Sequence, residues 1–196
     1  MFTFAFISGF SFQFITLPFL EVSIIPYGKF VLNSFSLVQI AMSNKNIVAI
    51  GGGGFGRSLG ELKIEKYITS LVKKVRPKIC FIPTASGDND LYKLNFYRAF
   101  SKLNCITSHL DFFSRTENLE KKILTQDIIY VGGGNTKSML AVWKEWNLHN
   151  ILKIGYEKGI IMSGVSAGAI CWFDQGITDS FSDNLEIINC LGIVKG

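Results

Sequence analysis

The sequence predicts a three-layer α/β/α domain built on a mainly parallel sheet. From residue 42 onward, short apolar runs alternate with longer amphipathic ones. The short runs are apolar almost throughout, as strands buried on both faces are, and helices between them imply a sheet covered on each side. The motifs rich in glycine or serine all fall just after such runs. Those positions are the carboxyl ends of parallel strands, where α/β sheets form their ligand crevice. A chain of 196 residues suits a single domain with a substantial core.

The first forty residues stand apart. Residues 2–20 are uncharged and rich in Phe, close to the length of a membrane span, and residues 1–44 hold only Glu21 and Lys29 as charges. Ser8, Ser11, Gln13, Thr16 and Pro18 interrupt the stretch, and no Lys or Arg precedes it as in a signal peptide. A membrane anchor and an integral piece of the fold both stay open for 1–41. The preferred expectation is an apolar extension outside the fold, with Met42 as the working start of a domain over 42–196.

Within that domain the expected strands are Asn46–Ile50, Lys78–Ile82, Ile106–Phe112, Asp127–Val131 and Ile160–Ser163. Each is a short apolar run bounded by glycine, proline or charged residues. Between the first two, Leu62, Tyr67, Ile68, Leu71 and Val75 recur near helical spacing, which predicts a helix over Glu61–Val75. The same periodicity predicts helices over Asp90–Leu103, Glu117–Leu124, Thr136–Trp143 and Leu148–Lys158.

Charge and cysteine usage narrow the function classes. The net charge of +5 is spread along helix faces (Lys63, Lys66, Lys73, Lys74, Lys121, Lys122) with no nucleic-acid motif beside it, so a solvated surface is expected and no nucleic-acid partner. Cys80, Cys105, Cys171 and Cys190 are widely spaced and lack metal-ligand spacing, which points to a reduced, metal-free, cytoplasmic protein.

Three motifs carry chemistry. Gly51, Gly53 and Gly56 satisfy G-x-G-x-x-G after a strand, but the acidic residue expected after the second strand is replaced by Pro83-Thr84-Ala85-Ser86. A tight loop on the crevice floor is the preferred reading, and a nucleotide site the alternative. The run Gly132-Gly133-Gly134-Asn135-Thr136 exposes backbone N–H groups at a strand end and supplies Asn135 or Thr136 to cap the next helix. Gly164-Val165-Ser166-Ala167-Gly168 follows an apolar run and precedes small residues. This is the nucleophile-elbow pattern, in which glycines let strand turn sharply into helix and leave the serine hydroxyl exposed. The N–H of Ala167 and an N–H from the second glycine loop would then form an oxyanion hole.

Together, Ile47–Gly53, Phe81-Ile82-Pro83-Thr84-Ala85-Ser86-Gly87-Asp88, Gly132–Thr136 and Gly164–Ala169 resemble the peptidase E family of aspartyl dipeptidases and cyanophycinase-like serine peptidases. The four motifs stand in the family's order over about residues 42–196. The resemblance implies a flavodoxin-like or class I glutamine amidotransferase-like architecture. It implies Ser166 as nucleophile, the N–H groups of Gly133 and Ala167 as oxyanion donors, and hydrolysis of a short peptide without cofactor or metal. Asn135, Thr136 and Asp179 are the substrate-binding candidates, because Thr178-Asp179-Ser180-Phe181 is similar to a family segment beside the substrate pocket. Self-association stays open.

The family places its catalytic histidine after a turn that Leu191-Gly192-Ile193-Val194 resembles, and the sequence given ends at Gly196. Of its two histidines, His109 is expected within a strand and His149 at a helix start, neither as the base. Asp179, Asp183 and Glu186 are candidate acids to orient a histidine. The expectation is a shortened serine peptidase of impaired activity, with an inactive relic or binding protein as the alternative.

Overall fold

The structure of the protein, a computed structural model, describes residues 45–56, 60–181 and 184–194, together with the backbone of strands at 2–5, 22–25, 29–32 and 37–42. The rest of the expected extension 1–41 lies outside the described residues. Four strands come from the first part of the chain: β1 (Phe2–Ala5), β2 (Val22–Ile25), β3 (Lys29–Leu32) and β4 (Leu37–Met42). β1, β3 and β2 form a small antiparallel sheet in that order.

The main sheet contains β4, β5 (Lys45–Ile50), β6 (Lys78–Ile82), β7 (Ile106–His109), β8 (Ile128–Val131) and β9 (Ile161–Val165), in the order β4-β5-β9-β8-β6-β7. All neighbours are parallel except the edge strand β4, whose backbone runs antiparallel to β5 with Leu37 opposite Ile50. The helices are α1 (Lys63–Ser70), α2 (Asp90–Phe100), α3 (Leu119–Leu124), α4 (Thr136–Glu145), α5 (Leu148–Glu157) and the short α6 (Ala167–Ile170). A two-stranded antiparallel ribbon, β10 (Gln175–Thr178) and β11 (Glu186–Asn189), completes the described elements. The mainly parallel, helix-covered sheet expected from the sequence is what the chain forms.

The alternating faces of the strands explain the layers. Ile47, Cys80, Ile82, Ile129, Val131 and Met162 face one way and pack with Ile123, Met139, Trp143, Leu148 and Leu152 of α3, α4 and α5. Val48, Ile50, Ile79, Phe81, Ile128 and Tyr130 face the other way and pack with Phe55, Ile68, Phe96 and Phe100 of the first glycine loop, α1 and α2. Successive residues of one strand therefore feed two separate cores, as a period of two requires. The second core is aromatic: Phe81 and Phe96 stack with centroids 5.0 Å apart, and Phe55 meets Phe81 edge-on at 5.4 Å.

Element ends moved by a few residues. The strand expected over Ile106–Phe112 stops at His109, because the Asp88 carboxylate takes the N–H groups of Phe112 and Phe113 and turns the chain away from the sheet. The helix expected over Asp90–Leu103 is α up to Phe100 and tightens to 3-10 over Ser101–Leu103.

Trp143 is wholly buried and its indole N–H donates to the Thr84 hydroxyl at 3.1 Å. Trp143→Ala removes one of the two buried tryptophans of the first core and leaves the Thr84 hydroxyl without its donor. It should cost about 3–5 kcal/mol, read from urea denaturation midpoints; a cost near zero would mean that α4 does not close this core.

Candidate active site

The carboxyl edge of β9 is where backbone conformation is most constrained. Ser166 stands at φ 56° and ψ −114°, far from the basins that L-residues favour. Such a conformation costs on the order of 1–3 kcal/mol and persists only when its surroundings dictate it. Here they do. The Ser166 N–H donates to the Ile50 carbonyl at 2.9 Å, extending the β5–β9 ladder by one residue, and the Ser166 carbonyl accepts from Ala169 and Ile170 at 2.8 and 3.1 Å. The chain thus leaves the sheet and enters α6 within one residue.

Two glycines make that turn sterically feasible. A Cβ on Gly164 would lie 2.2 Å from the Gly168 carbonyl oxygen, and a Cβ on Gly168 would lie 2.3 Å from the carbonyl oxygen of Val131. Both obstacles are backbone, so neither can swing aside. α6 therefore packs directly on the ends of β8 and β9, and the partly exposed Ser166 sits on the bend between them.

The second glycine loop is pinned beside it. Gly132 donates to Ile82 at 3.0 Å and Asn135 to Ala85 at 2.7 Å, which hold the loop over the end of β6. Gly133 faces the serine: a Cβ there would stand 3.2 Å from Ser166 Cβ and 3.8 Å from Ser166 Oγ. Its N–H donates to the Tyr92 hydroxyl at 3.4 Å, the outer limit of a hydrogen bond. Ala167 heads α6, where the first N–H groups have no acceptor within the helix. The structure brings Ser166, Gly133 and Ala167 into one place.

Asn135 is the cap of α4, its side chain accepting from the Ser138 N–H at 2.8 Å, and its Nδ2 donates to the Ser180 carbonyl at 3.2 Å. The Thr136 N–H donates to the Ser180 hydroxyl at 2.8 Å, and the Thr178 hydroxyl contacts those of Thr136 and Ser180 at 3.2 and 2.7 Å. The segment Thr178–Phe181 is thereby tied to the start of α4, with Lys137 Nζ 4.1 Å from the centre of the Phe181 ring. Asn135 is exposed at this junction, Thr136 and Thr178 are buried within it, and the Asp179 side chain is exposed. Glu186 is exposed on β11, opposite Thr178. Asp183 lies outside the described residues.

Under the first glycine loop sits a group that sequence reasoning passed over. Glu65, on α1, is buried among apolar neighbours, and its Oε1 accepts from the Phe55 N–H at 2.7 Å. Burial pushes its carboxyl pKa up, partly offset by that bond. A Cβ on Gly54 would approach both Glu65 Oε1 (3.2 Å) and Tyr130 Oη (3.3 Å), and one on Gly56 would strike the Tyr92 ring at 2.7 Å. The loop's glycines thus admit a buried acid and two tyrosines, which is the tight-loop reading of the motif. Nothing in the sequence marks Glu65 beyond its being an acidic residue in a lysine-rich helix.

Neither histidine reaches the serine. His109 ends β7, three strands from β9 or roughly 14 Å at ordinary strand spacing, and its Nδ1 meets the Tyr97 hydroxyl at 2.6 Å. His149 lies on α5 with its Nδ1 3.5 Å from the Trp143 carbonyl. The cysteines offer no rival nucleophile: burial pushes the Cys80 and Cys190 thiols up to about 12, and Cys171 well above its ordinary value. Among the described residues no helix is long and apolar enough to cross a membrane.

Known proteins resemble this chain in sequence and in fold. The model of peptidase family S51 matches residues 47–196. The chain is 45% identical over 153 residues to a Bacillus subtilis (strain 168) protein named as an uncharacterized peptidase, YgaJ, covering 78% of this chain and 66% of that one. It therefore spans just under two thirds of that relative's length. Two solved structures share the fold. A putative peptidase E protein from Listeria monocytogenes EGD-e matches with a TM-score of 0.54 at 22% identity, covering 72% of each chain. A peptidase from an acI-B1 Actinobacterium matches with a TM-score of 0.60 at 20% identity, over 75% of this chain and 64% of that one.

Two outcomes test the site's construction. Gly168→Ala drives a methyl group into the Val131 carbonyl and should destabilise the domain by about 3 kcal/mol or more, at the upper end of overpacking costs, in a urea titration. Glu65 binds its proton more tightly in the folded than in the unfolded chain, so its contribution to stability fades as pH rises from the ordinary 4.5 through the raised value. Glu65→Gln keeps an acceptor for Phe55 and should remove that decline. Melting temperatures across the acidic-to-neutral range should show wild type losing ground to the variant as pH rises; parallel curves would count against a raised carboxyl.

Proposed function

The chain belongs to peptidase family S51, and from that premise we propose that it is a serine-type peptidase domain acting on short peptides through Ser166. The observation that carries the reading is the backbone of Ser166, held in a disfavoured conformation between two glycines that no other residue could replace, with Gly133 packed against its side chain. Strain retained at a partly exposed serine beside a glycine loop is the arrangement acyl transfer needs. The Ser166 Oγ attacks the peptide carbonyl as its proton passes to solvent, and the N–H groups of Ala167 and Gly133 hydrogen-bond the oxyanion that forms; its collapse releases the amine, protonated by water, and a water then hydrolyses the acyl-serine. Each such donor lowers the barrier by roughly 3 kcal/mol in comparable sites. Asn135 and Asp179, exposed at the α4 junction, are positioned to contact the peptide on one side. The same reading is metal-free and cofactor-free, and the four free cysteines accord with a cytoplasmic setting.

The positions of His109 and His149 favour a second reading, a domain that binds peptides in the crevice without cleaving them. A general base converts a serine hydroxyl into a useful nucleophile, and neither histidine stands at Ser166.

An organophosphorus fluoride and a short aspartyl peptide separate the two. The peptidase reading expects covalent labelling of Ser166 and peptide turnover, both lost in Ser166→Ala, with turnover falling about 10³-fold or more. Saturable peptide binding without labelling or turnover would establish the binding domain instead. Equal turnover in wild type and Ser166→Ala would dispose of the serine altogether.

A further inference from the structure

We infer that Tyr92 is a positioning residue for the oxyanion donor: its hydroxyl accepts from the Gly133 N–H and so holds the peptide that packs against Ser166. The inference rests on the peptidase reading above and adds a side chain which that reading leaves without a role.

Gly133 lies between Gly132 and Gly134, so its peptide planes have no neighbouring side chain to restrict them. A peptide so flanked can rotate at small cost. The main-chain bonds of the loop fall on either side of it, Gly132 to Ile82 and Asn135 to Ala85, and leave the Gly133 N–H itself to Tyr92. The donor required for chemistry is thus oriented by one phenol oxygen.

That oxygen is well placed to do so. The Tyr92 backbone N–H is fixed by the α2 cap, donating to Asn89 Oδ1 at 2.9 Å. Its ring meets Phe81 edge-on at 4.9 Å and Phe55 at 5.4 Å, and it fills the space that side chains at Gly56 and Gly132 would need. Both glycine loops are therefore shaped around the same ring. Burial pushes the phenol pKa up, so the hydroxyl stays neutral through the physiological range.

The bond is also weak enough to yield. At 3.4 Å to a neutral acceptor, it is long compared with the charge-assisted bonds of about 2.7–2.9 Å that an oxyanion accepts. The free protein keeps the N–H satisfied, and the developing anion offers a better acceptor to the same donor. The effect therefore appears in the transition state and not in substrate binding.

Tyr92→Phe keeps the ring and deletes the oxygen. On a short peptide, kcat should fall about tenfold or more with KM within about twofold. Hydrogen exchange at the Gly133 amide, followed by NMR in the free protein, should quicken about tenfold. Tyr97→Phe, on the same helix but with its hydroxyl on His109, should leave both unchanged. Unchanged kcat in Tyr92→Phe, or a fallen kcat with Gly133 exchange unaltered, overturns the inference. If wild type shows no Ser166-dependent turnover, the peptidase reading and the catalytic role given to Tyr92 both fail. The exchange measurement would then still decide, separately, whether the hydroxyl holds the amide.

Discussion

Backbone-to-backbone contact at the end of the central strands is the constraint on which the site depends. α6 approaches the sheet so closely that Gly168 touches the Val131 carbonyl and Gly164 touches the Gly168 carbonyl. Side chains cannot mediate such an approach, and a main chain cannot be repacked as a methyl group can. With helix and strand locked together, the residue between them has no freedom to relax, and Ser166 keeps its disfavoured angles. The exposed position of the hydroxyl is thus a by-product of how tightly two elements pack. It needs no hydrogen bond to the serine side chain itself.

The surrounding loops follow from the same sheet edge. Parallel strands β5, β6, β8 and β9 end at one level, and each delivers a turn there: the first glycine loop, Pro83–Ser86, the second glycine loop and the elbow. The four turns brace one another through main-chain bonds, Ser166 to Ile50, Gly132 to Ile82 and Asn135 to Ala85. A sheet edge braced this way is held in place by the protein's own main-chain bonds. Thr178–Phe181 returns to the same edge and ties its hydroxyls to the start of α4. The segment after it, Leu191–Val194, folds back onto the carbonyls of Cys171, Trp172 and Phe173 just beyond the elbow.

Much of this could be read from the chain. Continuous apolar runs identify β5, β6, β8 and β9 because a strand buried on both faces has no polar phase to hide, and Gly-x-Ser-x-Gly locates the bend because only glycine tolerates those contacts. The expectation that Asn135 or Thr136 caps the next helix is met by Asn135, for a similarly local reason. What was not legible depends on distance in space. Tyr92 sits in an ordinary amphipathic helix, and no spacing rule says that its ring lies under two glycine loops far away in sequence. Glu65 looks like one more charge on a wet helix face, and only the fold shows it buried. Thr136 reads as a cap or first residue of a helix, and only the fold shows it buried, with its hydroxyl on Thr178 and its N–H on Ser180. The end of β7 was set by Asp88, a residue from another loop.

The outer margin of the sheet carries a last consequence. Among the described residues β7 has a neighbour on one side only, and beyond its final residue Asp111 gathers Lys93 Nζ at 2.9 Å and His109 Nε2 at 3.5 Å, with Lys93 also reaching Asp90 at 3.0 Å. A foreign strand that tried to zip onto this border would have to strip water from an ammonium and two carboxylates before gaining a single ladder bond. Charged groups at a strand's rim are a recognised defence against runaway sheet growth. The open border of an otherwise greasy domain is in this way kept from recruiting more chain.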